Sequence, residues 1–153
     1  LKRMKKLPSR RIIQTHLPPL LLPLSMLQSK AKTLVLLQNP KDTAVSYYHF
    51  YNDMPVLPSF ASWYEYFEAF MKGKCNFFVP LSALTWGSYF DYLVEWNKYI
   101  DQERIMMISS EELKEDQVLG MKKISAFFVF SLCEEDFHRM AKKTSFQAMK
   151  EKS

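Results

Sequence analysis

Lys32-Thr33-Leu34-Val35-Leu36-Leu37-Gln38-Asn39-Pro40-Lys41-Asp42 reads as a strand that passes directly into a helix. The continuous apolar run 34–37 suits a strand buried on both faces, as in a parallel sheet. Asn39 fits the N-cap, Pro40 the first helical turn and Asp42 the third position. Asn39 and Asp42 can satisfy orphan amides of the helix start, and Asp42 also suits the helix dipole. The pattern predicts a helix from Thr43 to about Tyr51, with Ala44, Val45 and Tyr48 on one side. A strand that ends at a helix start is a ligand edge in open α/β sheets. Helix starts also offer free amides to phosphate. Ser46, one turn further in, can bring a hydroxyl toward an anion. A well-capped helix with no ligand fits the same residues.

Working outward, Arg11-Ile12-Ile13-Gln14-Thr15-His16 reads as an earlier short strand that ends at a Pro-rich segment. Residues 54–62 form a loop carrying Pro55 and Pro58. Ser62-Trp63-Tyr64-Glu65 is a capping box, followed by Trp63, Phe67, Phe70 and Met71 at helical spacing, with Gly73 placed to stop the helix. A further helix is expected over 86–99, through Phe90, Leu93, Trp96 and Ile100. Ile105-Met106-Met107-Ile108 is a strand. Residues 117–128 are helical, with Met121, Ile124 and Phe128 inward. Ser131-Leu132-Cys133-Glu134 is a second capping box, opening a helix to about Lys143, and a last turn starts near Ser145. Helices between buried strands predict an α/β fold: a parallel sheet flanked by helices. Cys75 to Thr85 fits poorly, being an apolar stretch with few turn signals between two marked helices.

Composition narrows the class. Of 153 residues, 48% are hydrophobic and 24% charged, the range of soluble globular proteins rather than disordered ones. Three glycines are too few for a Gly-rich phosphate loop inside these residues. The formal charge of +5 comes from the two ends, where Lys2, Arg3, Lys5, Lys6, Arg10 and Arg11 face Lys142, Lys143, Lys150 and Lys152. Such a balance favours anionic partners, or is a solvated basic surface. No RNA- or DNA-binding motif accompanies it, so nucleic acid is not an expected partner. Cys75 and Cys133 have no metal-ligand spacing, and no metal is expected; two plain thiols fit a reduced, cytoplasmic protein. The apolar run 17–27 is broken by Pro18, Pro19 and Pro23, so no membrane span is expected.

His16 closes the first expected strand, just before the Pro-rich turn. A lone histidine is as compatible with a surface or satisfied core position as with a catalytic one. His49 and His138 fall inside helix patterns and read as structural.

Three ordered motifs then coincide with one family. Arg11-Ile12-Ile13-Gln14-Thr15-His16-Leu17-Pro18 resembles the Lys-Thr-His-Leu-Pro segment of cytosolic sulfotransferases. Asn39-Pro40-Lys41-Asp42-Thr43-Ala44-Val45-Ser46-Tyr47-Tyr48-His49-Phe50 resembles their 3′-phosphate segment. Thr144-Ser145-Phe146-Gln147-Ala148-Met149-Lys150 resembles their adenine-side segment. The Trp86-Gly87-Ser88-Tyr89-Phe90 block and Glu111-Glu112-Leu113-Lys114-Glu115-Asp116 fall between them in family order, and the details lean toward the sixth family, branch B.

The resemblance implies a partial P-loop-like sulfotransferase fold, with residues 1–153 as one partial domain. It implies transfer of a sulfuryl group from 3′-phosphoadenosine 5′-phosphosulfate, as co-substrate, to a hydroxyl or amine of a small acceptor such as a phenol, a steroid or an iodothyronine-like molecule. His16 would be the general base, a role that suits an imidazole near neutral pH. Gln14 and Thr15 would line the transfer site. Gln38, Ser46, Ser110, Thr144, Ser145, Phe146 and Met149 would meet the nucleotide, Phe146 by stacking on adenine.

The same resemblance marks departures. The family's Gly- and Lys-containing phosphosulfate loop, its C-terminal Arg-Lys-Gly segment and its dimer motif have no counterpart in these residues, so the domain is expected to be truncated at both ends and weak or inactive alone. Gln38 stands where the family has an Arg on the 3′-phosphate, Ser110 in place of a nucleotide-contacting Tyr, and Gln14 in place of a Lys. Val129 replaces a Gly after Phe127-Phe128, and the stretch 75–85 looks inserted. The alternative is a non-catalytic relative, acting as a binding or interaction protein or without function.

Overall fold

A computed structural model describes residues 12–28, 31–55, 59–73, 88–145, 148 and 150. Two strands, β1 (Thr33–Leu37) and β2 (Ile105–Ser109), pair in parallel, with Thr33 opposite Ile105 and Leu37 opposite Ser109. Helices α2 (Pro40–Asp53), α3 (Trp63–Met71) and α4 (Tyr89–Asn97) lie in the crossover between them. Helices α5 (Ser110–Glu115), α6 (Gln117–Phe128) and α7 (Glu134–Thr144) follow β2. The Pro-rich run ahead of β1 folds into a 3-10 turn (Pro19–Leu21) and helix α1 (Leu24–Gln28). This is the α/β arrangement read from the sequence: a parallel sheet flanked by helices.

Both strands end at the same edge because they run in parallel. Each passes straight into a helix there. Asn39 caps α2, its side-chain oxygen accepting from the amides of Lys41 at 2.7 Å and Asp42 at 3.4 Å. Ser109 caps α5, accepting from the Glu112 amide at 3.0 Å. Two helix starts thereby stand side by side.

Two apolar clusters hold the layers together. One joins α2 and α3 through Ala44, Tyr51, Phe60, Tyr66 and Phe70. The other packs Leu22, Val35, Trp96 and Ile105 across the sheet, with Leu17 and Tyr92 against them. Lys32 reaches from the start of β1 to the carbonyl of Phe127 and lies over that ring at 5.2 Å, which ties the end of α6 to the sheet. The two helices α5 and α6 also pack closely at Gly120, where a Cβ would run into the Leu113 side chain.

Several local expectations need correction. Residues 12–18 form no strand: Ile12 is 91% exposed, no described strand pairs with the segment, and the Leu17 amide instead bonds Thr15 Oγ1 at 3.1 Å. β-Branched residues favour a strand only when a neighbour accepts the pairing. β1 is not covered on both faces among the described residues, as Leu36 is 56% exposed. On α2, Val45 faces outward, while Ala44 and Tyr51 are buried and Tyr48 half-buried. On α3 the inward pair is Tyr66 and Phe70, with Trp63, Phe67 and Met71 exposed. On α4 the buried residue is Trp96, whereas Phe90 is exposed, as is Ile100 just past the helix end. Helix α7 is capped at Cys133, two residues past the expected Ser131; the Asp136 carboxylate accepts from the Cys133 amide at 3.2 Å. The stretch 75–85 lies outside the described residues.

Helices α3 and α6 match their expected spans. Ser62 Oγ accepts from the Glu65 amide at 3.2 Å, and Glu65 reaches back to the Ala61 amide at 3.1 Å. Gly73, at φ +64°, turns the chain out of α3 as glycine permits. The corresponding position after α6 is Val129, at φ +60°. The closing bonds are present: Val129 N–H to the Ala126 carbonyl at 3.2 Å, and Phe130 N–H to the Ser125 carbonyl at 2.9 Å. A left-handed L-residue costs about 1–2 kcal/mol, and the exposed Val129 side chain recovers little by packing. Val129→Gly is therefore expected to stabilise the chain by about 0.5–1 kcal/mol, after allowing for glycine's freedom in the unfolded state. That corresponds to a melting rise of about 2–3 °C. Val129→Ala, which keeps a Cβ, should recover less. A Gly variant melting at or below the parent temperature would show that the strain is relieved elsewhere.

Candidate functional site

A cleft of about 180 Å³ opens at the strand-end edge. The extended segment 12–18 supplies His16; β1 and the junction after it supply Leu36, Leu37 and Gln38; α2 supplies Thr43 and Tyr47; the start of α4 supplies Ser88, Tyr89 and Tyr92. Thr43 and Tyr47 are one turn apart, so the helix shows one face to the cleft. Ser88 is the α4 N-cap, accepting from the amides of Phe90 at 3.2 Å and Asp91 at 3.4 Å. The lining combines one imidazole, one amide and several hydroxyls on aromatic walls. Such a surface suits a partly apolar ligand oriented by a few hydrogen bonds.

The junction at 38–39 is held by residues distant in sequence. The Tyr89 hydroxyl donates to the Gln38 carbonyl, and Thr43 Oγ1 donates to the same oxygen at 3.4 Å. Glu111 Oε1 accepts from the Asn39 amide at 3.0 Å and from Ser110 Oγ at 3.2 Å. The Asn39 amide first, and the carboxylate's own backbone amide second, hold the Glu111 carboxyl below its ordinary pKa. Burial first, and the Glu111 charge second, push the Tyr89 phenol above its ordinary value, against a hydrogen bond with Thr43. At neutral pH, Tyr89 therefore keeps its proton as donor and Glu111 its charge as acceptor.

Of the residues singled out from the sequence, His16 and Gln38 meet in the cleft. Gln14 and Thr15 are exposed just before His16. Ser46 is exposed on α2, one turn past Thr43, and is not part of the lining. Ser110 opens α5 beside Glu111. Thr144 Oγ1 donates to the Met140 carbonyl at 2.9 Å, and Ser145 Oγ to the Lys142 carbonyl at 3.1 Å, both at the end of α7. Phe146 and Met149 lie outside the described residues. Sequence reasoning did not single out Thr43, Tyr47, Ser88, Tyr89 and Tyr92. Their signal was the serine cap at Ser88 followed by a block of aromatics, a pattern that serves a core equally well. Among the described residues no group of three or more His, Cys, Asp or Glu side chains is placed to hold a metal, and no helix is long and apolar enough to cross a membrane.

A parallel sheet flanked by helices is the fold that the sulfotransferase resemblance implied. The sulfotransferase domain family matches residues 1–153, and the chain belongs to that family. Its curated relatives include sulfotransferase 6B1 of Mus musculus, 47% identical over 152 residues, and of Homo sapiens, 45% identical over 152 residues. Sulfotransferase 6B1 of Danio rerio is 42% identical over 150 residues. These relatives bear out the sixth family, branch B. The matches cover 99% of this chain and 47% of the mouse and human proteins, so the chain spans about half their length. Among solved structures, mouse sulfotransferase SULT7A1 complexed with PAP superposes with a TM-score of 0.87 at 36% identity, over 97% of this chain and 50% of that one. Retinol dehydratase in complex with androsterone and inactive cofactor PAP gives 0.76 at 25% identity, over 97% of this chain and 41% of that one.

Proposed function

We propose that residues 1–153 act as one part of a sulfotransferase domain, in which His16 is the general base for sulfuryl transfer from 3′-phosphoadenosine 5′-phosphosulfate to a hydroxyl or amine of a small acceptor. The observation that carries this reading is the meeting of His16 with the β1–α2 junction in one aromatic-walled cleft. The PAP-bound relatives support the choice of nucleotide.

In this reading His16 takes the acceptor's proton as its oxygen or nitrogen attacks sulfur. The new bond to sulfur forms as the bond from sulfur to the bridging phosphate oxygen breaks, and the electron pair leaves with the nucleotide. The protein's task is positioning and charge stabilisation, as in phosphoryl transfer. Tyr47, Tyr89 and Tyr92 form walls that a flat acceptor can pack against. Gln14 and Thr15 adjoin the base. Gln38, Thr43 and the start of α2 offer polar groups to the nucleotide, and by family resemblance Ser46, Ser110, Thr144, Ser145, Phe146 and Met149 would meet it too. The fit is partial: among the described residues the lining holds hydrogen-bond donors but no lysine or arginine. Binding by this chain is accordingly expected in the micromolar range rather than tighter, with weak turnover. A cytoplasmic setting and a small-molecule acceptor belong to the same reading.

Calorimetric titration of the 153-residue chain with adenosine 3′,5′-bisphosphate tests the reading. Micromolar binding with a raised melting temperature is expected. Absence of heat together with an unchanged melting curve would leave a non-catalytic relative as the better account.

A further inference from the structure

We propose that Glu111 and Tyr89 are positioning residues that clamp the β1–α2 junction from two sides, so that nucleotide affinity is set in part by groups that do not touch the nucleotide. The proposal rests on the reading of the cleft as a sulfotransferase site.

The clamp follows from the hydrogen bonds. Glu111 opens its grip from β2 and α5, seventy-two residues away in sequence, and takes the Asn39 amide at 3.0 Å. Tyr89 comes from the start of α4, fifty-one residues away, and donates to the Gln38 carbonyl. The carbonyl and the N–H of a single peptide group, the one between Gln38 and Asn39, are thus fixed by opposite partners. Between them lies the backbone that carries Gln38 into the cleft and starts α2 at Asn39. A turn held only by local bonds samples several backbone states; two long-range anchors remove that freedom before any ligand arrives.

The arrangement also exposes a vulnerability. The Glu111 carboxylate is solvent-accessible rather than sealed in a core, and it accepts from Ser110 as well as from Asn39. Loss of its oxygen frees the Asn39 amide without opening a cavity. Local order at the junction can therefore change while the sheet stays intact.

The test compares Glu111→Ala, Glu111→Gln, Tyr89→Phe and the Glu111→Ala/Tyr89→Phe double variant in the full chain. Amide hydrogen exchange is read at Asn39 and at Ile108 in β2, alongside titration with adenosine 3′,5′-bisphosphate. Glu111→Ala should speed exchange at Asn39 about tenfold and weaken nucleotide binding about tenfold, leaving Ile108 unchanged. Glu111→Gln keeps an acceptor oxygen and should restore both readouts to within about threefold of the parent. The double variant should weaken binding by more or less than the product of the single effects, because both groups hold one peptide unit. Equal acceleration at Asn39 and Ile108 would overturn the clamp in favour of general destabilisation, as would failure of Glu111→Gln to rescue. Faster exchange at Asn39 with unchanged nucleotide affinity would overturn the positioning role. If the parent chain binds no nucleotide, the sulfotransferase reading fails, while exchange at Asn39 still decides whether the clamp exists.

Discussion

Tyr66→Ala is expected to destabilise the chain by about 3–5 kcal/mol, the cost of emptying a large aromatic site in a core. Tyr66 has no exposed surface, and five rings surround it. Tyr48 stands at 5.3 Å, Phe60 at 5.2 Å, Trp63 at 5.6 Å, Phe70 at 6.0 Å and Tyr51 at 6.3 Å between centroids. Those rings come from α2, α3 and the loop between them, so no single side chain can move in to fill the space. The loss compares with a whole-domain stability of about 5–15 kcal/mol. Urea denaturation followed by circular dichroism measures it. Tyr66→Phe keeps the ring and its packing and should cost much less than Tyr66→Ala. Trp63→Ala, at a partly exposed position on the same helix, should cost less than Tyr66→Ala. A small effect of Tyr66→Ala would mean that the aromatic cluster is not the support of α2. Since α2 carries Thr43 and Tyr47 into the cleft, the same substitution should weaken nucleotide binding wherever the variant still folds.

Gln38→Arg is expected to tighten binding of adenosine 3′,5′-bisphosphate by about 10- to 100-fold. The gain corresponds to the roughly 1.5–3 kcal/mol of a hydrogen bond to a charged group. Gln38 already lines the cleft, and its carbonyl is held by Tyr89 and Thr43. The backbone therefore presents the longer side chain without first being ordered. A guanidinium adds a fork of donors and a charge that the amide lacks. Gln38→Lys adds the charge without the fork and should gain less. Titration at two salt concentrations provides the check: the Arg variant should lose more affinity at high salt than the parent does. Unchanged affinity in Gln38→Arg would show that residue 38 does not meet the nucleotide's phosphate. The nucleotide side of the proposal would then have to shift along α2.

The sulfotransferase pattern was legible at 38–50 because its signals are local. The N-cap at Asn39, Pro40 in the first turn and the capping box at Ser62 depend on a few neighbouring residues. The structure places each of them as read. The family relation follows from the same local order of motifs, extended along the whole chain. The faces of the helices were less legible. Val45, Phe67 and Phe90 follow apolar spacing as well as Ala44, Tyr66 and Tyr89 do. In an aromatic-rich chain several faces of one helix qualify, and only the partner element selects between them. The supposed strand before His16 misled for a related reason. Its β-branched composition fits a pleated surface, but a strand exists only where another chain segment pairs with it.

His16 illustrates the division at the site. Its residue type and its place before Leu17-Pro18 were visible in the chain, and so was Gln38 at the strand end. Their convergence with Tyr89 and Tyr92 was not, because it depends on packing across more than fifty residues. Local chemistry determined the caps at Asn39 and Ser62, the β1–α2 junction and the family. The choice of inward faces, the walls of the cleft and the Glu111–Tyr89 grip on residues 38–39 were decided by tertiary structure. The physical reason is range: capping and turn formation are settled within one helical turn, whereas burial and long-range hydrogen bonds are settled only when distant segments compete for the same surface.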